Sequence, residues 1–128
     1  MEFSQILSRV FTQVSYQLKK KYSGLNCTTK GENLGEAKFP TLYMRELPAM
    51  EMGNDLENTT INAILCTIEI QVFTKNDETK CKEIMNQAVV EMKRFRFNTT
   101  AMPIVETRDT VSTGIARFRR VVGSGDTL

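Results

Sequence analysis

Apolar and polar residues alternate from Ile64 to Val72. Ile64, Cys66, Ile68, Ile70 and Val72 take the even positions, with Thr67, Glu69 and Gln71 between them, the period-2 signature of a strand with one buried face. A few residues later the period changes. Cys81, Ile84, Met85, Ala88, Val89, Met92 and Phe95 recur at three- and four-residue spacing opposite Lys82, Glu83, Asn86, Gln87 and Lys93, which predicts a helix with one apolar stripe. Asn76 is the expected N-cap, and Asp77 and Glu78 suit the positive end of the helix dipole. So short a polar link makes the helix fold back over the even face of the strand, and this strand-plus-helix unit is the expected nucleus of the core.

An earlier stripe, Phe3, Ile6, Leu7, Val10, Phe11, Val14 and Leu18, predicts an amphipathic helix over 3–22, with Lys19, Lys20 and Lys21 at its negative end and Gly24 as the left-handed residue that closes it. Its polar face is rich in Ser, Gln and Thr rather than densely basic, so it reads as a core helix and not a membrane-surface one. Residues 23–38 carry three glycines and no periodicity, and read as a long loop. Residues 39–45 (FPTLYMR) read as a first strand with its proline at the start, and 46–60 as a second connection. Met102 to Arg108 and Thr113 to Val122 read as two strands of a hairpin joined through residues 109–112. In the last strand arginines fall on both faces, so neither is plainly interior.

The expected fold class is α+β: a largely antiparallel sheet of about four strands, in the order α-β-β-α-β-β, with both helices packed on one face. Residues 1–122 are expected to form a single domain and 123–128 a flexible tail. A strand over 61–74 would be about 45 Å long, against a radius of gyration of roughly 14 Å for a domain of this size, so part of it is expected to project. Its odd face bears Ile61, Ala63, Leu65 and Phe73 around a polar middle, more apolar surface than a solvated face needs, and another subunit is the expected cover.

Composition narrows the function. Hydrophobic residues make up 41% and charged residues 25%, which fits neither a disordered nor a membrane-embedded chain. A formal charge of +2 does not by itself imply nucleic-acid binding. Cys27, Cys66 and Cys81 form no C-x-x-C pair and read as reduced, mostly buried small hydrophobes. No signal-peptide pattern or spanning apolar stretch is seen, so cytoplasmic synthesis is expected and the Asn-x-Thr triplets at 26, 58 and 98 read as loop composition, not glycosylation.

The chain has no histidine, which removes the usual nucleophile–base pairs and most zinc sites, and it has no phosphate loop. No catalytic residue, metal ligand or cofactor is therefore assigned, and an enzyme is not expected. A basic group, Lys93, Arg94, Arg96, Arg117, Arg119 and Arg120, with Phe95, Phe97 and Phe118 as stacking residues, is the basis of an alternative reading as a nucleic-acid-binding regulator. Against it, the middle strand offers Thr67, Glu69 and Gln71 where an RNA-binding sheet presents aromatics. A small-molecule-binding α+β domain is a further alternative.

The succession of a long amphipathic helix, FPTLYMRE, a loop, CTIEIQVFTKN, DETKCKEIMNQAVVEMKRF and TGIARFRRVV resembles the tail terminators and small neck proteins of long-tailed bacteriophages and phage-tail-like particles. The resemblance covers nearly the whole chain and rests on element order and size. It implies a non-enzymatic structural subunit of the virion tail or neck, assembled in the host cytoplasm into a hexameric ring that caps the tail tube and joins it to the head connector. Its implied partners are further copies of itself, the tube protein, the connector protein and, in contractile particles, the sheath; another small tail or neck component is the nearest variant. The expected interface residues are Glu69, Gln71, Arg117, Arg119, Met50 and Met52. Leu25 and Leu34, in the connections 23–38 and 46–60 together with Met50 and Met52, are expected docking residues.

Overall fold

A computed structural model describes residues 3–30, 39–52, 63–123 and 126; the side chains of Phe3, Glu51 and Met52 lie outside that description. A 3-10 turn over Phe3–Gln5 leads into α1 (Ile6–Lys21), and then come β1 (Asn26–Thr28), β2 (Thr41–Met52), β3 (Ala63–Lys75), α2 (Glu78–Arg94), β4 (Asn98–Arg108) and β5 (Val111–Gly123). The fold is α+β, with two helices and one five-stranded mixed sheet in the order β1-β2-β3-β5-β4. Strands near the four expected positions are present, and β2–β3, β3–β5 and β5–β4 pair antiparallel. The fifth, β1, pairs in parallel with the start of β2, in a segment expected to be loop.

The alternation in β3 predicts its faces. Ile64, Cys66, Ile68, Ile70 and Val72 are buried beneath the helices with Leu42 and Met44 of β2 and Ala116, Phe118 and Val122 of β5. Above them lie Ile6, Val10, Val14 and Leu18 of α1 and Cys81, Ile84, Met85, Ala88 and Met92 of α2. Each aliphatic side chain sealed in this way contributes about 1.5–3 kcal/mol relative to exposure, so the two helical stripes and the even face of the sheet form one core. The inner face of β5 is thereby decided: Ala116, Phe118 and Val122 point in, and Arg120 reaches the rim to donate from Nη1 to the Phe95 carbonyl at 3.0 Å.

Several boundaries differ from the sequence reading for local reasons. The N-cap of α2 is Asp77, whose carboxylate accepts from the Lys80 amide at 2.9 Å, and not Asn76. The ladder between β3 and β5 runs on to Lys75 and Val111, so Asn76 is used for the turn: its φ is 58°, a conformation asparagine tolerates, and its amide donates to the Thr110 carbonyl at 2.7 Å. Phe95 is the C-cap of α2 and, half-buried, packs against the core at the end of the stripe. Gly24 is left-handed as expected, at φ 85°, in the turn that follows α1. The hairpin between β4 and β5 turns on Asp109 and Thr110 alone.

The strand expected over 39–45 runs to Met52, so the first half of the supposed connection 46–60 is sheet. A register shift between Leu47 and Met50 accommodates Pro48, which has no amide hydrogen for the ladder. Residues 53–60 and Leu34 lie outside the described residues. Leu25, expected to dock a partner, is 4% exposed and belongs to the core. β3 does not project: β5 pairs with it from Ala63 to Lys75, because its neighbours are equally long. Asp126, within the expected tail, folds back so that its carboxylate accepts from the Gly123 amide at 2.7 Å and lies 3.6 Å from Arg120.

The close approach of α2 to β5 depends on Gly114. A Cβ there would lie 2.6 Å from Met85 Cγ and 3.2 Å from Cys81 Sγ. Gly114→Ala should therefore cost about 1–3 kcal/mol, as overpacking does. In a double-mutant cycle Met85→Ala should cancel most of that penalty, since it removes the overlapping carbon. Urea denaturation of the four proteins measures the coupling; strictly additive losses would mean that α2 does not rest on Gly114.

Candidate functional site

With both helices on the even side, the odd side of the sheet is built, among the described residues, from the strands alone. The registers place Arg45 of β2, Glu69 of β3 and Arg117 of β5 side by side on one rung across the three central strands. Arg45 Nε donates to Glu69 Oε1 at 2.9 Å and Arg117 Nε to Oε2 at 2.9 Å, while Gln71 Nε2, two residues along β3, donates to Oε1 at 2.7 Å. Both carboxylate oxygens are thus satisfied by charge-assisted bonds, the condition under which a buried carboxylate is tolerated. The glutamate side chain is only 2% exposed, although no helix covers it; the arginines across it remain 44% and 51% exposed.

Burial by itself raises the pKa of Glu69, but the hydrogen bonds from Gln71, Arg45 and Arg117 together outweigh it and hold the carboxyl below the usual range. A carboxylate kept ionised with its oxygens already occupied is a poor general acid or base. It is well suited to fixing two guanidiniums. Each arginine uses Nε inward, which leaves its Nη groups outside the bond to Glu69.

Around the rung the surface is apolar. Tyr43, Leu47, Leu65 and Phe73 are half-buried, Ile115 and Val121 are exposed, and Met102 and Ile104 of β4 are about two-thirds exposed. A groove of about 300 Å³ runs between β4 and β5, lined by Ala101, Met102, Ile104 and Ile115, with Glu106, Thr113 and Arg117 as its polar members. Charge is uneven as well. By register the described residues of this face include five cations, Arg45, Lys75, Arg108, Arg117 and Arg119, against two carboxylates, Glu69 and Glu106. That is a net +3 from the chain's 17 cations and 15 carboxylates, leaving 12 against 13 elsewhere.

Of the residues expected at an interface, Glu69, Gln71 and Arg117 come together in this one network. Arg119 stands on the same face two residues further along β5, exposed and outside the network. Met50, 64% exposed, lies at the far end of β2 opposite Leu65. Met52 ends β2, and its side chain is outside the described residues. Sequence reasoning missed Arg45. The available signal was the lone charge of FPTLYMR, the strand expected to precede the one bearing Glu69.

The basic residues considered for nucleic-acid binding do not share a surface. Lys93 and Arg94 end α2, Arg96 lies in the following turn, Arg117 and Arg119 are on the odd face, and Arg120 is tied to the helix end. Phe97 and Phe118 are in the core, where they cannot stack on bases. The cysteines are free. Burial pushes the Cys27 thiol up to about 11, and burial followed by the nearby Glu46 carboxylate pushes Cys66 up to about 12, so neither is a ready nucleophile. Among the described residues no group of three His, Cys, Asp or Glu side chains is placed to hold a metal, and no helix is long and apolar enough to cross a membrane.

Comparison with known protein families and with curated proteins finds no match for the chain.

The lowered pKa of Glu69 sets a pH dependence. Its folded-state pKa lies below the unfolded one, so its contribution is fully present above the ordinary glutamate range and is lost as pH falls through the folded value. Wild type should exceed Glu69→Gln in stability at neutral pH, and the gap should close on acidification below about pH 4. Urea midpoints of the two proteins across that range test it; parallel profiles would mean that the carboxylate is not held ionised by the arginines.

Proposed function

We propose that this chain is a structural subunit of a phage tail or of a phage-tail-like particle, a tail terminator whose ring caps the tail tube and joins it to the head connector. The reading rests on the order of elements that resembles that family. One structural observation supports it above the others: the odd face of the sheet, with a fixed charged rung set among exposed apolar side chains, has the composition of a surface made for packing against protein. The rung is also poorly suited to catalysis, since its carboxylate has no free oxygen with which to move a proton.

In this reading copies associate through a heterologous interface that closes into a ring, six-fold as in the family it resembles. One annular surface meets the tube, the other the connector, and the particle is assembled in the host cytoplasm. Met50, at the end of the lengthened β2, and Arg119 are the candidates for contacts beyond the central rung. Leu25 is in the core and leaves the docking residues, and the odd face of the sheet joins the proposed contact surface.

The test is polymerisation of the cognate tube protein with and without this chain, with tube lengths measured by electron microscopy. Shorter tubes with added density at one tip are the expected result, together with a hexamer by native mass spectrometry, either free or on the tube. Unchanged lengths with bare tips would sink the terminator reading.

A further inference from the structure

The rung at the centre of the odd face has a chemistry of its own. Arg45 and Arg117 are each anchored through Nε to one carboxylate, so both guanidiniums are held near it before any partner arrives and less side-chain entropy is lost on binding than for free arginines. The Nη edges outside those bonds have the geometry that receives a carboxylate with two parallel hydrogen bonds. Glu69 neutralises only one of the two cations. Beside Arg117 the groove between β4 and β5 offers apolar walls from Met102, Ile104 and Ile115.

We propose that this face takes an acidic segment of another protein, with a carboxylate held by the Nη groups of Arg45 and Arg117 and a neighbouring apolar side chain in the groove. Charge complementarity selects that occupant. The face is net +3, whereas the rest of the chain is close to neutral. Two copies packed through this same face would bring like charges together, at a cost. A nucleic-acid backbone would gain from the cations, but it would strand Met102, Ile104, Ile115 and Val121 against phosphates, and the Glu106 carboxylate of the groove opposes either anion alike. A peptide that alternates acidic and large apolar residues satisfies both halves of the site. The inference rests on the odd face being an assembly surface, but it needs no tube, so it can fail or hold independently of the terminator reading.

The probe is a short fluorescein-labelled peptide of alternating glutamate and leucine, with its glutamine–leucine counterpart as control, followed by fluorescence anisotropy on the full chain. The glutamate peptide should bind about tenfold more tightly than the control, a difference of about 1.4 kcal/mol, and added salt should narrow that difference. Arg117→Gln should abolish the preference, and Arg117→Lys, which keeps the charge but not the planar fork, should lose most of it. Lys75→Gln removes a cation at the hairpin end of the same face and should leave it nearly unchanged. Ile104→Ser, at an exposed position, should weaken both peptides equally. Thermal melting of each variant separates loss of the site from loss of the fold, and Arg117→Lys keeps the test decisive if Arg117→Gln is unstable.

Equal affinity for the two peptides would overturn the proposal, as would a glutamate preference that survives both Arg117 substitutions in folded protein. Displacement of the peptide by duplex DNA at lower concentration would assign the face to nucleic acid. Self-association by sedimentation that Arg117→Gln abolishes would assign it to a second copy of this chain. Either result would overturn an acidic protein partner, whereas a positive peptide result beside unaltered tube lengths would retire only the terminator reading.

Discussion

A glutamate in the middle of the central strand of a sheet cannot lose its water and stand alone. The paired arginines at Glu69 meet that constraint, and they also help to set the register of the sheet. Sliding β2 or β5 by one residue against β3 would turn its apolar side chains to solvent and is forbidden by the core. Sliding by two keeps every side chain on its proper face, so hydrophobic burial discriminates against it only weakly. On the β2 side the charged rung supplies the missing discrimination, because a two-residue slip sets Tyr43 or Leu47 opposite Glu69 in place of the Arg45 guanidinium at 2.9 Å; on the β5 side only the slip that brings up Ile115 does so, since the other brings up Arg119. A buried ion pair need not add net stability to act in this way; what it penalises is every arrangement that leaves the carboxylate unpaired.

Much of the architecture was legible because two periods were clean. Even positions 64–72 and the stripe from Cys81 to Met92 identified the core strand, the helix over it and the side of the sheet it covers. The failures lie where the deciding interaction is distant in sequence. β1 is three residues long and exists because Asn26, Cys27 and Thr28 find the edge of β2, which no local pattern shows. The expected strand stopped at Arg45 because Pro48, Gly53, Asn54 and Asp55 resemble a connection, whereas an irregularity after Leu47 lets the strand absorb the proline. Asn76 and Asp77 are both good caps; the choice between them was made by how far the β3–β5 ladder runs.

The candidate site was legible in part for the same reason. Glu69, Gln71 and Arg117 could be chosen as polar residues on a face that the helix does not cover. Their assembly into one network with Arg45 required the pairing of β2 with β3 across a connection whose length gives no register. Arginines on both faces of β5 left its orientation open, and the structure resolves them by their partners: Arg117 has a carboxylate beside it, Arg120 a helix-terminal carbonyl. The opposing demands of the two faces therefore decide the role of each arginine more than its sequence neighbours do.

An exposed sheet face rich in apolar side chains is a liability unless its contacts are restricted, and the edges of this sheet carry the usual restraints. β4, the outer strand on one side, contains Pro103 and two register shifts, and β2 carries Pro48 beyond its short pairing with β1. These features discourage strand-by-strand addition from the edges. They leave the centre of the face unaltered. There, like charges on Arg45, Arg117 and Arg119 oppose packing against an identical surface, while the apolar residues between them favour a complementary one. The rung that sets the register thus also makes the face selective, repelling its own kind while keeping its apolar surface ready for an acidic partner.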